Sequence, residues 1–352
     1  MKAHMIPQKT GLEEPSRPEA WQFALKTCIT DVRDLLMRCG LDGNNKLFDQ
    51  ILPQPDFPLR VPIAYVDKIE KGNPNDPLLR QIVPQNLELS GLQGLPRLPG
   101  FVKDPLQEKK ANPLPGLIHK YQGRVLVTLS GACAIHCRYC FRRHFPYQDN
   151  NPGQVGWSQI VKYIAESADI EEVILSGGDP LTLKDTLLTS FYHQLANIQH
   201  VTTVRIHTRL LSVIPSRVTS GLLHLLSNPR FTHVLVLHIN HPREIDDALT
   251  EAVQALRQAG VTVLNQSVLL NGVNDDLETL IALQKGLFSA GILPYYLHLL
   301  DRVEGAAHFD VPEPQAAQLM RLLLASLPGY LVPRLVREIP GQPAKSPVPL
   351  LY

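Results

Sequence analysis

The rhythm of apolar and polar positions changes about a third of the way along the chain. Beyond residue 120, short apolar runs recur at 124–130 (RVLVTLS), 172–176 (EVILS), 203–207 (TVRIH), 233–239 (HVLVLHI), 262–269 (TVLNQSVL) and 292–299 (ILPYYLHL). Between them the spacing switches to the helical period, at 155–167, 181–198, 219–226, 245–259 and 277–290. Regular alternation of strand and helix predicts a parallel sheet covered by helices. A closed barrel of this type has eight units. Six are visible here, so the expected fold class is α/β, a partial (β/α)6 barrel over 111–303. No internal repeat or low-complexity stretch interrupts it.

The flanks have a different texture. Helical spacing over 21–38 (WQFALKTCITDVRDLLMR) predicts one helix ending near Gly40. Prolines then follow closely, among them Pro53, Pro55, Pro58, Pro62, Pro74, Pro77, Pro84, Pro96 and Pro99. This composition predicts an arm of short helices and irregular connections over 1–110 rather than an independent core. Residues 304–352 contain one helical stretch, 314–327, an apolar run at 330–339 and the tail PGQPAKSPVPLLY. They are too few for a domain and read as a C-terminal extension.

Charge narrows the choice of chemistry. The net charge is +1 over 352 residues, with neither the basic excess of a nucleic-acid binder nor the acidic bias of a disordered chain. No apolar run reaches the ~18–20 residues of a membrane span, and the opening MKAHMIPQKTGLEEPSRPEA lacks the apolar stretch of a secretory signal. A cytoplasmic protein acting on a small molecule, with no nucleic-acid or membrane partner, is the expectation. Five cysteines, an odd number, argue against a disulfide framework. Cys28 and Cys39 lie in the predicted helix and read as small buried apolar groups.

The other three cysteines carry the chemical signal. Cys133, Cys137 and Cys140 fall within eight residues, directly after the first apolar run. Parallel β/α barrels keep their active sites at that end of the strands. Iron–sulfur clusters ordinarily take four thiolates, so three leave one iron open to a ligand. His144 follows at a zinc-like distance, and on spacing alone a Cys3His zinc site stays open. The second run ends in Ser176-Gly177-Gly178-Asp179-Pro180, where two glycines either make an ordinary turn or let the backbone approach a ligand closely.

The spacing C-x3-C-x2-C, with the aromatic Tyr139 before the last cysteine, resembles the signature of the radical S-adenosylmethionine (SAM) superfamily. Within it, YQGRVLVTLSGACAIHCRYCFRRHF, LSGGDPL, HINHPREI, NQSVLLNGVND, LPYYLHLLD and PGQPAKSPV resemble the lysine 2,3-aminomutase family, over residues 121–348. The short C-terminus resembles its bacterial branch that supplies β-lysine for modifying translation elongation factor P. The resemblance implies an isomerase that moves the amino group of L-lysine from carbon 2 to carbon 3. It implies a [4Fe-4S] cluster on Cys133, Cys137 and Cys140, SAM on its open iron, pyridoxal phosphate (PLP) and a flavodoxin- or ferredoxin-like electron donor. The alternatives are an aminomutase for another amino acid, such as glutamate, and a non-catalytic iron–sulfur or zinc protein.

Site residues follow from the same resemblance. Lys345 corresponds to the lysine that carries PLP, with Tyr121, Arg124 and Tyr295 as further PLP contacts. Ser176, Gly177, Gly178, Asp179, His238 and Gln266 correspond to SAM contacts. Arg142 corresponds to the partner of the substrate carboxylate, and Asp301 and Glu338 to the acids that hold its ε-ammonium. The chain departs from the family pattern in four places. Glu338 replaces a usual aspartate, and Gln342, Pro343 and Ala344 replace glycines. His298 stands where a second tyrosine is frequent, and Asp276 where longer members have a zinc-ligand cysteine, so no structural zinc is expected.

Overall fold

The computed structural model describes residues 19–44, 47, 49–51, 56–89, 99–150 and 152–350. The N-terminal stretch read for targeting signals, and Pro53, Pro55 and Pro96, lie outside them. A nine-stranded sheet runs in sequence order from β1 to β9. Its strands are β1 Leu117–Tyr121, β2 Arg124–Ser130, β3 Glu172–Gly177, β4 Thr203–Thr208, β5 Thr232–Leu237, β6 Thr262–Val268, β7 Leu293–His298, β8 Arg334–Arg337 and β9 Ser346–Pro347. Each neighbouring pair from β2 to β8 is parallel. The edge strands β1 and β9 pair antiparallel with β2 and β8, and β1 and β9 do not pair with each other, so the barrel is open.

All six expected strands are present. The run at 330–339, expected only as an apolar segment, supplies β8 and extends the parallel sheet by one strand. Helices α3 Gly153–Glu166, α4 Asp185–Ala196, α5 Ser220–Leu226, α6 Asp247–Gln258, α7 Leu277–Ser289 and α8 Glu313–Ser326 connect the parallel strands, behind α1 Ala20–Lys26 and α2 Val32–Arg38 of the arm.

Alternation along each strand sorts side chains to two faces. Val125, Val127 and Leu129 of β2, Val173 and Leu175 of β3, and Val204 and Ile206 of β4 are buried in one hydrophobic core with Ile160 of α3, Phe191 of α4 and Leu256 of α6. Odd-phase neighbours such as Arg124, Ser176, His207, His238, Gln266, Tyr296 and His298 face the lumen. A one-residue slip would exchange these sets, so burial of the first fixes the aim of the second. Local caps reinforce the ends: Asp276 accepts a hydrogen bond from Thr279 N at 2.8 Å at the start of α7.

Two predicted helices break. The single helix expected over 21–38 is two, because Ile29 leaves the helical path to pair with Val61 and Asp31 caps a new start by accepting from Asp34 N. The helix expected over 181–198 begins only at Asp185. Buried Arg217 donates to the carbonyls of Leu181 at 2.6 Å and Leu183 at 3.0 Å, which holds those carbonyls out of a helical ladder.

Candidate active site

The cysteine loop leaves β2 at the C-terminal rim of the sheet and is gripped from outside by the arm. His136 N donates to Arg60 O and Arg138 N to Gln81 O. Arg138 is fully buried, ion-paired to Glu88 and hydrogen-bonded to Phe57 O. Glu88 also pairs with Arg143 at 2.6 Å. Burial is the main force on all three loop thiols: it raises Cys133 and Cys137 and pushes Cys140 up to about 11, with the other thiols adding to the rise at Cys133 and Cys140. Arg142, Arg143 and Arg209 oppose it. Thiols crowded and buried like this are poor thiolates alone and good ligands for a cationic metal centre, which removes their protons outright. His144 does not join them; its Nε2 lies 3.1 Å from Glu304 O. Among the described residues no three His, Cys, Asp or Glu side chains gather round a point that a single ion would fill.

The glycine motif is fitted to this loop. Gly178 N donates to Ser130 O and Asp179 N to Ala132 O, both at 2.8 Å. Gly177 has φ +119°, and a Cβ there would meet Ser130 O at 2.6 Å; one at Gly178 would meet Ala132 O at 2.5 Å. The glycines are therefore needed for the close approach of two backbones. Ser176 accepts from Arg142 Nη1 at 3.1 Å. Asp179 is expected from the resemblance as a SAM contact, and its carboxylate has protein partners of its own. Its buried carboxylate accepts from Leu181 N, Thr208 Oγ1, Arg209 N and Leu210 N at 2.8–3.0 Å, so it ties β3 to the end of β4 and has little capacity left for a ligand.

Inside the lumen lies a neutral cluster. Gln266 Nε2 is 3.0 Å from His238 Nε2 and 3.5 Å from His207 Nδ1, and the two imidazoles meet edge to face at 5.8 Å. Burial lowers His238 to about 3 and holds His207 and His298 well below the usual histidine range. Thr128 Oγ1, His207 Nε2, Gln266 Oε1 and His298 Nε2 are buried with no hydrogen-bond partner among the described residues. Each such atom costs about 1–3 kcal/mol. Four on one inner surface fit a bound polar ligand better than an empty core.

On the other side, charges form a chain. Lys345 donates to Glu338 at 2.9 Å, and Lys120 to Glu338 at 3.0 Å and Glu108 at 3.5 Å. Glu108 takes a two-pronged contact from Arg142, both distances 2.8 Å. Burial works to raise Glu338, but Lys345 and Lys120 overcome it and hold the carboxyl well below the usual range. Burial, then the charge of Glu338, pushes Asp301 up to about 7 against the pull of Lys345. The Asp301 carboxylate accepts no hydrogen bond from a described residue.

The structure thus brings most of the expected residues to one lumen. Tyr121 lies beside Glu338 and under the guanidinium of Arg124, 4.7 Å from its ring centre. The tyrosine beside Lys345 is Tyr296, at 5.9 Å. Tyr295, expected there, packs on the ring of Tyr296 at 3.8 Å, because β7 is irregular at this point, Asn265 pairing with Pro294 and Gln266 with Tyr296, and the alternation of faces is interrupted. Sequence reasoning missed Glu108, Lys120 and His207. Glu108 sits in a segment read as irregular arm, and Lys120 on a strand not predicted. The alternation of His207 with Val204 and Ile206 was the available signal for the third.

The model of the radical SAM superfamily matches residues 127–283. The chain is similar along nearly its whole length to L-lysine 2,3-aminomutases. The enzyme of Escherichia coli is 45% identical over 99% of this chain and 98% of its own. That of Haemophilus influenzae is 47% identical over 97% and 98%. The longer enzyme of Clostridium subterminale is 36% identical over 93% of this chain and 77% of its own. The chain belongs to the lysine 2,3-aminomutase family. It is an isomerase of the radical type, with an iron–sulfur cluster and SAM as its cofactors.

Proposed function

We propose that the protein converts L-lysine to β-lysine by moving the α-amino group to carbon 3. In this reading Cys133, Cys137 and Cys140 hold a [4Fe-4S] cluster, and Ser176, Gly177, Gly178, His238 and Gln266 surround SAM. Lys345, with Tyr121, Arg124 and Tyr296, holds PLP. When bound, cluster and SAM supply a hydrogen-abstracting radical, and PLP carries the migrating amine. The observation that carries the reading is the pair of unlike ends in one lumen. Arg142, a buried guanidinium with one of its five N–H groups left beyond Glu108, Ser176 and Gly177, can offer it to a carboxylate. Asp301, a half-buried acid that accepts no hydrogen bond from a described residue, suits an ammonium, and an ammonium buried without such a partner is costly. Lys345 lies on the same charged side. A glutamate side chain would set a carboxylate against Asp301, which disfavours that substrate.

We infer further that β-lysine serves to modify elongation factor P, the role that the resemblance to that bacterial branch implies. The electron donor is of flavodoxin or ferredoxin type, and the protein works in the reducing cytoplasm, where three free thiols persist to take up iron. We also assign residues 1–110 as an arm, 111–303 as the barrel and 304–352 as the segment carrying Lys345. No helix of the described residues is long and apolar enough to cross a membrane.

The test is anaerobic reconstitution, followed by SAM, reductant and a panel of amino acids. About four irons per chain, PLP absorbance abolished by Lys345→Ala, and β-lysine from lysine alone are expected. Inert lysine beside an active second amino acid overturns the substrate; zinc in place of iron overturns the reaction.

A further inference from the structure

The departure at Glu338 has a structural counterpart. Strands β8 and β9 pair Val336 with Pro347 and Arg337 with Ser346. Continuing that register by one step sets Glu338 opposite Lys345, and their side chains meet at 2.9 Å. A chain one methylene longer than aspartate reaches across the hairpin. The connecting turn contains Gln342, Pro343 and Ala344, which have less freedom than glycines and keep the hairpin in register. The other side of Glu338 is taken by Lys120, at 3.0 Å. Both partners are largely buried, with side chains 24% and 17% exposed. Glu338 therefore has an ammonium on each oxygen, while Asp301 has none.

We propose that Glu338, anchored by Lys120, is a positioning residue for Lys345, and that Asp301 alone receives the ammonium of the substrate. This rests on the reading of Lys345 as the PLP lysine. Lys120 supplies the second positive charge, so Glu338 stays compensated when the Lys345 amine is committed to the cofactor. Without that anchor the carboxylate would be buried and unpaired at that moment, a costly state. The same anchor removes Glu338 from the substrate's reach.

The experiment uses the anaerobically reconstituted full chain. PLP is titrated without SAM or reductant, followed by absorbance, with Lys345→Ala as baseline, and kcat and KM for lysine are measured separately. Glu338→Gln, which preserves shape, is expected to weaken PLP binding about tenfold or more and lower kcat, with KM changed less than about threefold. Lys120→Met is expected to weaken PLP binding too, and the double variant to be no worse than the poorer single one, as for groups acting as a unit. Asp301→Asn is expected to leave the PLP titration unchanged and raise KM about ten- to a hundredfold. If Glu338→Gln raises KM tenfold with normal PLP binding, Glu338 holds the substrate and the proposal falls. It falls equally if the Glu338 and Lys120 effects simply add. If the wild type itself gives no Lys345-dependent band, the failure lies in the functional reading instead.

Discussion

The lumen has two kinds of wall. Around β1, β8 and the hairpin to β9, charges are paired in a chain: Arg142 with Glu108, Lys120 with Glu108 and Glu338, Lys345 with Glu338. Around β4 to β7 there are neutral histidines and an amide, three of whose buried polar atoms have no partner among the described residues. These pairs are formed before anything binds, which pre-orients that wall. The neutral wall is incomplete, so what it lacks is a description of its ligand. Asp301, unengaged on the charged side, is the exception that marks where a cation enters.

Four outcomes would break or sharpen this contrast. The largest concerns the charged wall. Glu108→Ala leaves buried Arg142 without its acid and should destabilise the reconstituted protein by about 3–5 kcal/mol in urea denaturation. A loss under 1 kcal/mol would mean that the wall is not a coupled unit.

Asp301→Asn should cost about 1.5–3 kcal/mol of lysine binding. It also has a signature in pH. Asp301 titrates at about 7 in the fold and must be ionised to hold an ammonium, so kcat/KM for lysine should fall as pH drops below about 7 in the wild type. That limb should vanish in the variant.

The neutral wall predicts an effect on stability. His238 is lowered to about 3 in the fold, whereas the unfolded chain binds a proton near 6.5. Between those values the unfolded state carries more protons. Stability should therefore be full above about 6.5 and fall by up to about 1.4 kcal/mol per pH unit as pH drops toward 3. His238→Leu should make the curve shallower; an unchanged slope would show that His238 is charged in the fold.

The smallest effect lies away from both walls. Asp276→Ala removes the cap of α7 and should cost about 1 kcal/mol, with kcat and KM unchanged. It calibrates what loss of structure alone does to the assay.

Much of this was legible in the chain. The strands from Arg124 to His298 are marked by apolar runs that helices must cover, and the three cysteines by a spacing that few other chemistries need. Resemblance pointed to Lys345, Arg142 and Asp301; the fold links Lys345 to Arg142 through Glu338, Lys120 and Glu108 and sets Asp301 within the field of Lys345 and Glu338. It gave no sign that the Asp179 carboxylate is held by backbone donors and the Thr208 hydroxyl, or that Tyr295 sits where the register of β7 shifts, because neither follows from spacing. It missed Glu108 and Lys120 because a single charge in an irregular segment has no pattern.

Sequence by itself determined what is periodic or clustered: the alternating barrel, the cysteine loop and the glycines that let it pack. These depend on neighbours a few residues apart, where spacing stands in for geometry. The tertiary structure alone decided which charge meets which. Glu108 and Arg142 are 34 residues apart and Lys120 and Glu338 are 218 apart. Only the folded sheet, with its register set by burial of the opposite face, brings such distant groups together and excludes the water that would otherwise screen them.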